Sequence, residues 1–182
     1  VCGPVLTLLA SPRAKAAALD LAAPLSGDDA LRQAQRLLDN GRIVAIKGLG
    51  GYHLACDAVN DTAVLTLRER KGRGNKPLAV MAADLDAVRR FAHVTPAEER
   101  LLTSRERPIV LLRKRAPADC DLRLSEHVAP GNLTVGVMLP YTPLHYLLLH
   151  DEGDAPPRVY VMTSGNLSEE PIVKDDDEAL DR

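Results

Sequence analysis

Apolar residues along the chain follow two alternating patterns, one with the period of an α-helix and one typical of short buried strands. The helical pattern predicts helices at 30–38, 61–68, 84–91, 96–102 and from Thr142-Pro143 onward. The strand pattern predicts strands at 42–47, 52–56, 77–81, 108–112, 135–139 and 158–162. Because helices and strands alternate without internal repeats, we expect an α/β fold in which helices cover a twisted, largely mixed or parallel sheet.

Capping residues and prolines set the expected boundaries of the domain. Residues 26–29 and Asn60-Asp61 offer caps for two of the predicted helices. Prolines interrupt residues 1–25, so we interpret that segment as a lead-in and 26–182 as one domain. The polar stretch 114–134, which contains Pro and Gly, predicts a long loop of the kind that is usually functional or mobile.

The composition limits the class of protein more than it identifies one. The 182 residues are 46% hydrophobic with no Trp and one Phe, so aliphatic side chains must fill the core. Twenty-three basic and 25 acidic residues give a net charge of −2, which argues against a nucleic-acid or membrane surface spread over the whole molecule. No apolar run approaches the roughly 18 residues of a membrane span and no secretory leader is visible, so we expect a cytoplasmic protein.

Positive charge is concentrated in one short segment. It contains five cations, at Arg68, Arg70, Lys71, Arg73 and Lys76, with glycines at 72 and 74. One interpretation is a solvated helix end, because cations suit the negative C-terminal end of the helix dipole. We favour a site for a polyanion such as a nucleotide, since the glycines let backbone and side chains converge on one anion and five like charges otherwise repel one another.

Two further segments have candidate chemistry of lower specificity. Lys47-Gly48-Leu49-Gly50-Gly51 follows a strand and could bring backbone amides close to phosphate, although a tight turn between strands explains it equally well. Thr163-Ser164-Gly165-Asn166-Leu167-Ser168 follows another strand, where hydroxyls and an amide could hold phosphate, ribose or Mg²⁺; a plain turn is the alternative. We interpret His53 and His145 as structural residues.

Two of these segments together resemble the YrdC-like family, whose Lys-x-Arg and Ser-x-Asn motifs match Lys71-Gly72-Arg73 and Ser164-Gly165-Asn166. Five ordered segments resemble, more closely, the central domain of the HypF family of hydrogenase-maturation carbamoyltransferases. They are Lys47 to Ala58, Leu67 to Lys71, Lys76 to Met81, Met138 to His145 and Thr163 to Asn166. The resemblance runs from around Asp28 onward and implies a YrdC-like fold with a concave, basic ligand face.

The resemblance implies a reaction in several steps. In the HypF family an acylphosphatase domain splits carbamoyl phosphate, and the YrdC-like domain joins the resulting carbamate to AMP, releasing pyrophosphate from ATP. A C-terminal transferase domain then passes the carbamoyl group to the C-terminal cysteine of HypE. This chain would supply the adenylation step, with ATP and Mg²⁺. A zinc-binding segment of that family ends in Cys-Gly-Pro, so Cys2-Gly3-Pro4 resembles its remnant, and we expect zinc only upstream and none bound by this chain.

The resemblance also assigns roles to individual residues. The residues that would bind ATP are Lys71, Arg73, Ser164, Asn166, Arg68, Lys76, Gly50 and Gly51. Lys71 and Arg73 would act in catalysis by neutralising the triphosphate, since this chemistry depends chiefly on cation placement. Ser164 and Asn166 would orient phosphate or its Mg²⁺. Lys47, the third catalytic candidate, would form with the following glycines the wall nearest the carbamoyl group.

Three alternatives remain open. Threonylcarbamoyl-adenylate synthesis for tRNA modification uses related chemistry, but that branch usually carries a Pro-Thr-x-Thr-like turn where this chain has Lys47 and glycines. Carbamoyltransferases of antibiotic pathways share the chemistry. An RNA-binding module is disfavoured by the net charge of −2 and the single Phe.

Overall fold

The computed structural model describes residues 5–10, 23–150, 157–166 and 170–181. Its strands are β1 (Thr7–Leu8), β2 (Leu25–Ser26), β3 (Val44–Lys47), β4 (Tyr52–Asp57), β5 (Ala79–Ala82), β6 (Val110–Arg113), β7 (Thr134–Met138) and β8 (Val159–Ser164). Its helices are α1 (Gly27–Asp39), α2 (Asp61–Lys71), α3 (Leu85–Arg89), α4 (Pro96–Thr103), α5 (Pro143–Leu149) and α6 (Asp176–Asp181), with a 3₁₀ turn at Pro117–Asp119. Two predicted segments, Cys2-Gly3-Pro4 and Leu167-Ser168, lie outside the described residues. Within the described residues, every helix is too short or too polar to span a bilayer.

The main sheet has six strands in the order β3-β4-β8-β5-β7-β6. Among the described strands of this sheet, β5 and β7 are the only parallel neighbours, and the remaining pairs are antiparallel. The predicted mixed α/β architecture is confirmed, but parallel pairing is a smaller part of it than the alternation of helices and strands suggested. One reason is the hairpin at 48–51, because a turn of that length joins antiparallel strands and is too short for a parallel crossover.

A smaller pair of strands lies next to the start of α1. β1 and β2 pair antiparallel, and the backbone N–H of Gly27 donates to the carbonyl of Leu6 at 2.9 Å. Part of the predicted lead-in therefore contacts the first helix. The division at residues 25 and 26 stays a prediction.

Side chains of β8 alternate between the two faces of the main sheet, as in any strand. Val161 packs in the core formed with α2, α3 and α4, which we call the first face. Met162 packs in the core formed with α1 and α5, which we call the second face. By the same alternation Thr163 belongs to the first face and Ser164 to the second, so the end of β8 is accessible to side chains from both sides of the sheet.

Helix α2 carries the basic run to the end of β8. The side chain of Asn60 caps its start by accepting from the N–H of Ala63 at 3.0 Å. Leu67 is fully buried in the first-face core, which fixes the helix against the sheet. Gly72 ends the helix with a φ of 58°, a left-handed conformation that glycine adopts without steric cost.

The long loop between β6 and β7 is packed into the domain. Val128 and Ala129 are completely buried. The N–H of Leu78 donates to the carbonyl of Val128 at 2.8 Å, and the N–H of Ser125 donates to the carbonyl of Ala58 at 2.9 Å. The loop thus completes the core beside α2; its predicted role as a cover for a pocket stays a prediction.

Candidate functional site

The carboxyl end of β8 forms a tight backbone crossing with β4. The N–H of Gly165 donates to the carbonyl of Tyr52 at 2.6 Å, and a Cβ atom at Gly165 would lie 2.7 Å from the same oxygen. Glycine is therefore needed for this close approach. Beyond it, Ser164 Oγ donates to Asn166 Oδ1 at 2.6 Å, which orients both side chains of the Ser-x-Asn motif.

Lys71 reaches this strand end from the last turn of α2. Its Nζ donates to the carbonyls of Ser164 and Asn166 at 2.6 and 2.7 Å and to Asn166 Oδ1 at 3.2 Å. Lys71 is only 3% exposed. Burial, and then the charge of Arg73, lower the pKa of Lys71 to about 8. The structure therefore brings the Lys-x-Arg and Ser-x-Asn motifs together around one buried amine.

Arg73 approaches the same strand end on the first face. Its Nη1 lies 3.4 Å from Thr163 Oγ1, a weak hydrogen bond, and its Nη2 donates to the carbonyl of Pro77 at 2.9 Å. Its Nε is buried and has no hydrogen-bond partner among the described residues. Burial, and then the charge of Arg68, lower the pKa of Arg73. A guanidinium next to Lys71 suits phosphate oxygens.

Arg68 organises the basic loop from within. It is 8% exposed, and its guanidinium donates to the carbonyls of His127 (3.0 Å), Lys76 (3.2 Å) and Gly74. These bonds tie the loop that carries Arg73 to the long loop behind it. Lys76 is exposed. Arg68 therefore positions the loop, and a direct contact of Arg68 or Lys76 with phosphate stays a prediction.

Lys47 has a different kind of partner. Its Nζ forms an ion pair with Asp176 at the start of α6, and the Tyr52 hydroxyl donates to the same carboxylate oxygen at 2.7 Å. Burial, and then Asp176, raise the pKa of Tyr52 to about 12. The predicted catalytic role of Lys47 stays a proposal.

The glycines after Lys47 form the turn of a β-hairpin. β3 and β4 pair antiparallel through this turn, which corresponds to the plainer of the two interpretations of the segment. Gly51 has a φ of 136°, and a Cβ there would lie 2.6 Å from the carbonyl oxygen of Val173. Gly50 has open space around it. Gly51 therefore serves close packing, whereas Gly50 leaves the turn accessible from outside.

A second polar group, which sequence reasoning missed, lies on the second face. The rings of His53, Tyr141 and His145 meet edge to face, with centroids 4.5 Å apart for Tyr141 and His145, 6.3 Å for the two histidines and 6.5 Å for His53 and Tyr141. We call these residues the imidazole cluster. His145 is 1% exposed, and neither of its ring nitrogens has a hydrogen-bond partner among the described residues.

Burial keeps the imidazole cluster uncharged. Desolvation, and then the neighbouring His53, lower the pKa of His145 to about 4, and desolvation also lowers the pKa of His53. The Tyr141 hydroxyl lies 3.5 Å from His53 Nε2, and His53 Nδ1 is buried without a partner in the described chain. Alternation along β4 and the period of α5 could have marked both histidines as inward-facing, but only the fold shows that they meet.

The oxygen atoms at the end of β8 fit a magnesium nucleotide better than a resident metal ion. Ser164 Oγ and Asn166 Oδ1 are the hard ligands that Mg²⁺ takes. The ammonium of Lys71 bonds the same Asn166 oxygen and repels a bare cation, which triphosphate oxygens would offset. Within the described parts of the chain, no group of three or more His, Cys, Asp and Glu side chains is suited to a metal.

Comparison with known proteins places this geometry in a family. The Sua5, YciO and YrdC family model, described as telomere recombination, matches residues 36–182. The chain belongs to the Sua5/YciO/YrdC family. The predicted YrdC-like domain is therefore confirmed, and the Lys-x-Arg and Ser-x-Asn motifs both fall within the matched region.

The YrdC-like chain is similar to HypF proteins. It is 48% identical over 169 residues to carbamoyltransferase HypF2 of Cupriavidus necator, which covers 87% of this chain and 21% of that protein. It is 50% identical, with a TM-score of 0.75, to a crystal structure of full-length HypF in the phosphate- and nucleotide-bound form, over 84% of this chain and 19% of that one. Threonylcarbamoyl-AMP synthase of Bacillus subtilis is more distant, 31% identical over 129 residues, which cover 70% of this chain and 37% of that protein. The chain thus spans about a fifth of the length of these HypF proteins.

Proposed function

We propose that this YrdC-like chain joins carbamate to the AMP part of ATP, forming carbamoyl-adenylate. A carbamate oxygen attacks the α-phosphorus, the bond from that phosphorus to the bridging oxygen breaks, and pyrophosphate leaves with the electron pair. The observation that carries the proposal is the convergence of Lys71 and Arg73 with Ser164 and Asn166 at the end of β8. The 48% identity to a carbamoyltransferase supports carbamate as the second substrate.

The two cations suit the charge that develops in this step. Attack places negative charge on the phosphorus oxygens, and pyrophosphate leaves as a multiply charged anion. The charge of Lys71 acts strongly because the amine is buried and water does not screen it. The planar fork of Arg73 matches two phosphate oxygens at once. Carbamate is already anionic, so the attack needs no general base.

Mg²⁺ supplies further charge neutralisation when it is bound with ATP. Ser164 and Asn166 would hold its coordination sphere or the phosphate oxygens in place. Lys47, with Gly50 and Gly51, would line the wall nearest the carbamoyl group. Enclosure of the site matters because carbamate decomposes readily in water.

The resemblance to HypF extends the proposal to a reaction sequence. Carbamoyl phosphate would supply carbamate through an acylphosphatase domain, and a C-terminal transferase domain would pass the carbamoyl group to the C-terminal cysteine of HypE during hydrogenase maturation. These steps involve parts of HypF proteins that this chain does not cover. ATP and carbamoyl phosphate are cytoplasmic substrates, so the proposal also places the chain in the cytoplasm.

Threonylcarbamoyl-adenylate synthesis is the second candidate, because the Bacillus subtilis synthase is 31% identical to the chain. That reaction consumes threonine and bicarbonate in place of carbamate. The turn after Lys47 offers glycines and no hydroxyl for the threonine side chain. This difference, together with the higher identity to HypF2, favours carbamate.

Exchange of labelled pyrophosphate into ATP tests the proposal, because exchange requires reversible formation of the adenylate. In the intact polypeptide we expect exchange that depends on carbamate and on Mg²⁺ and that threonine with bicarbonate does not support. Arg73→Ala should reduce this exchange strongly while circular dichroism stays unchanged. Exchange without carbamate, or exchange that only threonine and bicarbonate support, contradicts the proposal.

A further inference from the structure

The imidazole cluster costs free energy if it serves only to fill the hydrophobic core. Both ring nitrogens of His145 are buried without a hydrogen-bond partner among the described residues, and so is Nδ1 of His53. A phenyl or aliphatic side chain would fill the same space without desolvating polar atoms. A buried polar group without a partner is uncommon in folded proteins and calls for an explanation, of which a functional role is one. Packing alone therefore does not account for His145.

The imidazole cluster also lies next to the site already described. His53 is the register partner of Ser164 across the antiparallel pair of β4 and β8. Directly opposite residues in such a pair share one face of the sheet, so their side chains are neighbours. Ser164 Oγ donates to Asn166 Oδ1, and Lys71 Nζ donates to that same oxygen. One serine therefore separates the neutral rings from the buried amine.

The imidazole cluster has partly exposed members and one that is fully buried. His53 and Tyr141 are partly exposed, whereas His145 is 1% exposed and lies behind them. Because both imidazoles are neutral, they offer hydrogen-bond acceptors as well as donors, which imidazolium rings do not.

We propose that His53, Tyr141 and His145 form a neutral subsite that binds the NH₂–C=O end of the second substrate. The inference rests on the proposed function, since it gives the carbamate of that reaction a binding site of its own. An imidazole nitrogen accepts from the NH₂ group, and the Tyr141 hydroxyl donates to the carbonyl oxygen. The reacting oxygen then points past Ser164 toward the α-phosphorus.

Such a subsite explains how the chain would tell carbamate from other small anions. Acetate has the same carboxylate but a methyl group in place of NH₂, so it leaves the buried nitrogens without a partner. A site built to hydrogen-bond a substrate group rejects the analogue that lacks it far more strongly than a purely apolar pocket rejects a misfit. Lys71 and Arg73 do not supply this selection, because both recognise charge.

Two variants test the subsite in the intact polypeptide. His145→Phe keeps the ring packing but removes both nitrogens, and Tyr141→Phe removes one oxygen atom. We expect each to raise the KM for carbamate in pyrophosphate exchange, by roughly tenfold or more for His145→Phe. The dissociation constant for ATP should stay within about twofold, and the unfolding midpoint should stay the same or rise. His150→Phe, at the exposed end of α5, is the matched control and should leave the KM unchanged.

A binding measurement with stable probes separates this inference from the proposed function. Sulfamate carries NH₂ on an oxyanion, as carbamate does, and methanesulfonate carries a methyl group instead. With ATP present, calorimetry should show that the wild type prefers sulfamate by about tenfold and that His145→Phe loses this preference. If exchange fails but the preference is present and lost in the variant, the subsite stands and the proposed reaction falls. Equal binding of both probes, or a preference that survives in both variants, overturns the subsite whatever exchange shows.

Discussion

The two sides of the sheet at the end of β8 contain opposite kinds of polar group. On the first face Lys71 and Arg73 bring two cations to the strand end, and neutral oxygens hold them there. On the second face the two histidines of the imidazole cluster stay uncharged because burial lowers their pKa values. One side therefore suits a polyphosphate and the other a small neutral group, with Ser164 between them.

Burial has opposite consequences for the charge of Lys71 and of His145. Desolvation lowers the pKa of Lys71 only to about 8, so much of the amine stays charged at neutral pH. Desolvation takes the pKa of His145 to about 4, where the ring has lost its proton. Because the amine starts from a higher pKa than the imidazole, similar surroundings leave one as a cation and the other as a neutral donor and acceptor.

Among the changes considered, removal of the Lys71 amine on the cationic side should have the largest effect. We expect Lys71→Ala to reduce carbamate-dependent pyrophosphate exchange by at least about 100-fold, because a preorganised charge at a developing anion is worth this much. Exchange with saturating ATP and carbamate measures the loss. Arg70→Ala is the matched control, since Arg70 lies one residue away but is exposed, and it should lose less than about twofold. Equal losses in both variants contradict a specific role for Lys71.

Removal of the Arg68 guanidinium, which positions the basic loop, should affect stability as well as ATP binding. Arg68→Met removes a buried guanidinium that donates to carbonyls of His127, Lys76 and Gly74. The orphaned carbonyls should lower the free energy of unfolding by about 1–3 kcal/mol, and ATP affinity should fall because the Arg73 loop loosens. Urea unfolding measures the first effect. A stability loss no larger than that of Arg70→Met would show that these bonds do not hold the loop.

The pH dependence of ATP binding should separate the cationic side from the neutral side. In the proposed reaction ATP binds the protonated form of Lys71, and in the protein without ATP the pKa of Lys71 is lowered to about 8. The dissociation constant should therefore rise about tenfold between pH 7 and pH 9, as the amine loses its proton. Titrations by calorimetry at constant salt measure it. In Lys71→Arg, whose guanidinium stays charged, the profile should be flat. A flat profile in the wild type contradicts the lowered pKa.

Removal of the surface partner of Lys47 should have the smallest effect. Asp176→Asn breaks an ion pair in which both side chains are more than half exposed. Exposed ion pairs contribute little to the free energy of unfolding because water and salt screen them. The unfolding midpoint at 0.15 M salt should therefore hardly change. Thermal unfolding of the variant and the wild type measures this. A large drop in the unfolding midpoint would contradict this expectation and would mean that the contact between α6 and β3 contributes substantially to the stability of the fold.

Local signals in the sequence predicted the elements well. Asn60 caps a helix where a capping residue was recognised, the predicted helix after Thr142 begins at Pro143, and the apolar runs became the strands of the main sheet. These features depend on neighbouring residues, which sequence patterns report directly. The direction in which strands pair depends on contacts across the fold, so the sequence left mixed and parallel pairing open, and the structure has one parallel pair among the described strands of the main sheet.

The two sides of the site also differ in how far the sequence reveals them. Lys71, Arg73, Ser164 and Asn166 were recognisable because they form short motifs known from a family. The imidazole cluster has no local motif, since His53 and His145 approach each other only through the order of β4 and β8 and the packing of α5. Each histidine alone resembled an ordinary core residue.

Direct detection of the adenylate is the measurement that tests the central claim most simply. The intact polypeptide is incubated with ATP, Mg²⁺ and carbamate, or with carbamoyl phosphate and an acylphosphatase, and the products are analysed by mass spectrometry. We expect carbamoyl-adenylate and pyrophosphate in equal amounts from the wild type and neither from Lys71→Ala. An adenylate that forms only with threonine and bicarbonate, or no adenylate with any of these substrates, would contradict it.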